Sequence, residues 1–179
     1  MKNIQVVLMA GLMIFLFACS SGEKKQRIEK IDSLTLTLDS VQKQISSLDS
    51  ARIERNFQEI QKTNSLFDSI PDDKIDRELL NEQRSVERAF RAYLAKIGEI
   101  KDDLQFSYNQ LDSLTHDVEK DLVPEGKFDY YFNDEAEVDR RLKNYVSAIV
   151  QETDEALIKY DSIRMKVKEH LEENDVPLK

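Results

Sequence analysis

Tryptophan is absent from this 179-residue chain, and cysteine, proline and glycine are scarce. There is one cysteine, Cys19, so an intrachain disulfide has no second partner. Of the four glycines, Gly11 and Gly22 fall near the N-terminus, leaving only Gly98 and Gly126 for the body. Of the three prolines, Pro71 and Pro124 separate periodic segments and Pro177 lies near the C-terminus. So few breakers, with 34% charged residues, describe long helices with solvated faces. A net charge of −9 argues against nucleic-acid binding, which needs a basic footprint. Ser/His/Asp triads, HExxH, phosphate-binding loops and glycine-rich dinucleotide turns are all missing. An enzyme is therefore the least favoured class, and no cofactor or metal is expected. The chain has one long apolar run, at its start, and no second one able to span a membrane.

That run extends from Ile4 to Phe17, interrupted only by Gln5 and preceded by the cation Lys2. It is too short to cross a bilayer comfortably and has the layout of a secretory signal. It closes on Leu16-Phe17-Ala18-Cys19. A lone cysteine at the end of such a signal resembles the lipobox of bacterial lipoproteins. The resemblance implies cleavage before Cys19 and two or three acyl chains on it, enough for a permanent membrane anchor. With Cys19 acylated, no thiol remains for a zinc site or a nucleophile. By the family's sorting rule, Ser20 rather than aspartate after the cysteine implies the outer membrane, with the body in the periplasm. The expected organisation is a signal peptide over 1–18, a lipidated polar tether over 19–26, a helical domain over 27–174 and a tail over 175–179.

The body reads as three helices. Over Arg27–Asp68, Ile31, Leu34, Leu38, Val41, Ile45 and Leu48 form a heptad seam. The phase then slips to a new stripe of Ile53, Phe57, Ile60 and Phe67, with Asn64 in a gap. Pro71, Asp72 and Asp73 suit the first turn of a second helix over Asp73–Leu122. Its seam is Leu79, Val86, Phe90, Tyr93, Ile97, Ile100, Leu104, Tyr108, Leu111, Leu114 and Val118. Asp134 with Glu137 reads as a capping box opening a third helix over Asp134–Glu173. That helix carries Val138, Leu142, Tyr145, Ile149, Ala156, Tyr160, Ile163, Val167 and Leu171. Helices of roughly 60 to 75 Å cannot bury such stripes alone. The short break at Pro71 makes an antiparallel hairpin the natural solution, in preference to one kinked helix. The expected fold is all-α, an elongated antiparallel three-helix bundle of coiled-coil character. An oligomer remains open, because Leu and Val mix between core positions of the first heptads.

Few constellations suggest chemistry. An apolar-Asp-Ser-apolar motif recurs six times, as at Leu38–Val41, and reads as a heptad fragment with its polar pair solvated. His116 and His170 each precede a glutamate by three residues, Glu119 and Glu173. They lie far apart along the bundle, and each suits the negative end of its helix. Arg84, Arg88 and Arg91 form a stripe interleaved with Glu82 and Glu87, a salt-bridged solvated face. The densest aromatic patch is Phe128, Tyr130, Tyr131 and Phe132, expected in the connection before the third helix. It reads as a plug closing the bundle or as a partner-binding surface. In the hairpin arrangement it falls at the lipid end.

The function expected is a membrane-anchored helical interaction or structural module of the cell envelope, with a protein partner there. A periplasmic holdase chaperone is one alternative. A cell-wall linker is the other, because a lipobox, a helical body and the C-terminal Lys179 resemble the murein lipoprotein.

Overall fold

A computed structural model describes residues 2–176, with side chains described from Gly22 onward. The expected signal peptide, Cys19 and Lys179 lie outside the residues whose side chains are described. The elements are α1 (Lys2–Ser47), α2 (Ser50–Phe67), α3 (Arg77–Glu119) and α4 (Phe128–Glu173). Among the described residues there is no strand, and no helix is long and apolar enough to cross a membrane. The fold is all-α and consistent with a helical bundle.

The chain forms two compact units, Met1–Ser40 with Leu104–Arg141, and Val41–Asp103 with Leu142–Lys179. In the first unit α3 runs antiparallel to α1, as ties from Lys24 to Asp121 and from Tyr108 to Asp39 require. α4 runs parallel to α1, with Lys30 against Asp129. The second unit repeats that sense. Tyr93 of α3 meets Ser50 at the start of α2 and Gln83 meets Thr63 near its end, in antiparallel order. Arg52 meets Asp161, and Glu59 meets Lys168, in parallel order. The α2–α3 pair is thus the hairpin expected around Pro71.

Four expectations need correction. The first helix is not continuous over Arg27–Asp68; it breaks at Leu48 and Asp49, where the heptad phase slips. Asp49 leaves helical geometry and its side chain accepts the Arg52 N–H at 2.9 Å, an N-cap for the 18-residue α2. Residues 22–26, expected as a polar tether, are helical and part of α1. Glu23 pairs with Arg27 at 2.5 Å and Lys24 with Asp121 at 2.7 Å. Pro71 does not open the second helix. It begins a turn closed by the Lys74 N–H on the Pro71 carbonyl, and Asp76 caps α3 through the Leu79 N–H. α4 opens at Phe128, six residues before Asp134. The turn at Pro124–Lys127, with Gly126 at φ 72°, delivers the chain so that the Lys127 carbonyl takes the Tyr131 N–H. Glu137 then pairs with Arg140 and Arg141 instead of capping.

Two helix ends are built alike. Asp121 and Asp175 adopt left-handed backbone at φ 56° and 57°. The Leu122 N–H reaches the Asp117 carbonyl, and the Val176 N–H reaches that of Leu171. Both are Schellman caps closing orphan carbonyls of α3 and α4. Val176 is buried on the core of the second unit, so it belongs to the helical body rather than to the tail.

Candidate functional site

The first five residues of α4 carry all four residues of the aromatic patch, and helical geometry divides them. Phe128 is 3% exposed and stacks on half-buried Phe132, ring centroids 5.8 Å apart. The spacing of four puts both rings on one face. Arg27 and Lys30 of α1 lie over the Phe128 ring at 5.2 and 5.6 Å, and Lys30 also lies 5.6 Å from the Phe132 ring. Tyr130 and Tyr131 point away from that core, 65% and 40% exposed, and meet edge to face at 5.6 Å. Lys127 sits 5.9 Å over the Tyr130 ring. The patch is thus divided, with Phe128 and Phe132 packed against α1 and Tyr130 and Tyr131 turned to solvent. A cleft of about 190 Å³ beside them is lined by Glu23, Gln26, Arg27, Lys30, Gly126, Phe128 and Asp129.

The same end is fastened to the residues just after Cys19. The Lys24 ammonium donates to the Glu119 carbonyl at 3.1 Å and pairs with Asp121 at 2.7 Å. A cation there satisfies an orphan carbonyl and opposes the negative end of α3. Lys30 pairs with Asp129 at 3.2 Å, favouring the first turn of α4.

A second feature of this unit escaped the sequence reading. Asp139 is 1% exposed, and neither carboxylate oxygen has a hydrogen-bond partner. It holds a core position of α4. Val138 and Tyr145, expected on the core stripe, are instead 40% and 43% exposed, while Asp139, Leu142 and Val146 are buried. Burial pushes the Asp139 carboxyl up to about 6; the buried Ser107 hydroxyl opposes the rise without closing a hydrogen bond. Tyr108, which donates to Asp39 at 2.7 Å, is pushed up to about 12 by burial, then by that bond and the negative charges of Asp39 and Asp139. Glu135 is raised by its own burial, then by Asp139 and Asp134.

The other candidates resolve as packing. Phe67 stacks on His170 at 5.6 Å, and the His170 Nε2 accepts the Asp76 N–H at 3.3 Å, so the ring closes the hairpin turn. His116 is exposed in the last turn of α3. Arg84, Arg88 and Arg91 are exposed; Arg91 pairs with Glu87 and lies 6.0 Å over Phe57. Asn64, the gap in the α2 stripe, is satisfied by Gln83 at 2.8 Å and Glu87 at 2.6 Å, and Gln83 also donates to Thr63 at 2.8 Å. In the second unit a groove of about 380 Å³ is lined by Arg55, Gln58, Glu59, Lys62, Thr63, Leu66 and Lys168. Its Lys168 is paired with Glu59 at 3.2 Å. Among the described residues no three His, Cys, Asp or Glu side chains are grouped to hold a metal.

The chain matches no family model, and neither the curated proteins nor the solved structures include a significant match to it.

Proposed function

We propose that this chain is a lipid-anchored protein of a bacterial cell envelope, a helical structural or interaction module rather than an enzyme. The observation that carries the reading is Leu16-Phe17-Ala18-Cys19 closing the apolar run that starts at Ile4. Acyl chains on Cys19 hold the protein in the membrane, and Ser20 directs it to the outer one. The helical body stands in the periplasm and meets a protein partner there. In support, the body begins almost at the anchor, because Lys24 is already bound to the end of α3. An anchor joined so closely to a folded unit transmits position rather than merely tethering it. The test is metabolic labelling with an alkyne-bearing palmitate. The wild-type chain takes up label and the Cys19→Ser variant does not, remaining as uncleaved precursor. Label on both, or on neither, overturns the reading.

A further inference from the structure

The exposed apolar side chains nearest the anchor lie in one stretch of the first unit. Leu122 is 61% exposed, and Tyr130 and Tyr131 follow in the first turn of α4. The exposure of Leu122 is not imposed by its cap. The matching cap at the end of α4 tucks Val176 into a core, whereas this one turns Leu122 to solvent. The stretch is also held close to Cys19. Lys24 is five positions on from Cys19, a reach of about 17 Å even fully extended, and it grips Asp121, the neighbour of Leu122. Lys30 likewise grips Asp129, the neighbour of Tyr130.

Charge permits a membrane here. Residues 20–30 hold four cations and two acids, and residues 119–132 hold two cations and four acids. They cancel, in a chain whose net charge is −9. The anchor-proximal end is therefore spared the repulsion that anionic head groups impose on the rest. Tyrosine presents an apolar ring and a polar tip, which suits the head-group region, and the Lys127 ammonium, 5.9 Å from the Tyr130 ring centroid, places a cation beside it for lipid phosphate.

We propose that Leu122, Tyr130 and Tyr131 form a bilayer-docking surface that enters the head-group region of the membrane holding Cys19. The proposal rests on the lipoprotein reading. The anchor keeps the surface at high effective concentration, so a contact too weak to bind alone is sufficient. The first unit is then seated on the bilayer by its α3–α4 end.

The absence of tryptophan supplies the test. Tyr130→Trp is made in the full chain, and the lipidated protein is reconstituted into phosphatidylethanolamine and phosphatidylglycerol vesicles with brominated acyl chains. Its emission shifts to the blue and is quenched. Leu36→Trp is the control, at a side chain 67% exposed and about 20 Å beyond Gly22 along α1; its emission is neither shifted nor quenched. Circular dichroism confirms that both variants fold, and intact mass confirms acylation. An acylated protein whose Tyr130→Trp emission matches the control overturns the docking surface and leaves the anchor standing. An unmodified Cys19 overturns both. A photocrosslinker at position 131 that yields a protein adduct in envelopes, in place of a lipid adduct, also overturns the proposal.

Discussion

Replacing Asp139 by asparagine should remove a pH dependence of stability that the wild-type chain carries. Both carboxylate oxygens of Asp139 are buried without a partner, and burial lifts its ionisation from 3.8 to about 6. A folded-state value above the unfolded one means that the folded chain holds the proton more tightly. Folding is therefore unpenalised below about pH 3, where both states are protonated, and stability falls as pH rises from there toward 6. Above that, ionisation of the buried group costs about 3 kcal/mol, from two units at 1.4 kcal/mol each. For a chain of this size the loss corresponds to roughly 6–12 °C in melting temperature. Glu135 is raised as well and adds to the fall, whereas Glu59 and Glu137 are lowered and oppose it, losing their contribution as pH drops. The slope of the wild type alone is therefore not diagnostic; its difference from Asp139→Asn is. Melting followed by circular dichroism at pH 3 and pH 7 should show the wild type losing about 3 kcal/mol relative to the variant. Parallel curves would refute the burial of Asp139 in the first unit.

The two faces of the α4 start should separate in the same assay. Phe128→Ala costs about 3–5 kcal/mol of stability, whereas Tyr130→Ala and Tyr131→Ala each cost about 0.5 kcal/mol or less. Asp49→Ala removes the N-cap of α2 and lowers stability by about 1 kcal/mol in urea denaturation. Asp175→Gly relieves left-handed backbone at the end of α4 and raises stability, by up to about 1 kcal/mol after the entropy of glycine is counted.

Apolar spacing made most of the architecture legible. Every residue of the α1 and α3 seams is buried or half-buried, because a helix reports its face through its period. What failed was local. The Asp-Ser pairs at Asp49 and Asp68 match four others inside helices, yet these two fall at the ends of α2. Their side chains serve a solvated face or a helix terminus equally well, and only packing decides which. Asp139 was hidden by its polarity. Stepping back by three from Leu142 leads to it, but the neighbouring Val138 offered an apolar residue one place away. The aromatic patch was seen, but its division was not, since that depends on where α4 opens. The Pro124–Lys127 turn opens it early enough to place Phe128 and Phe132 on one face and Tyr130 and Tyr131 on another.

Everything proposed for this chain depends on the anchor, and the intact mass of the protein extracted from membranes decides whether it is there. The anchored protein begins at Cys19 and carries the added mass of two or three acyl chains. An N-terminus elsewhere, with Cys19 unmodified, would contradict it.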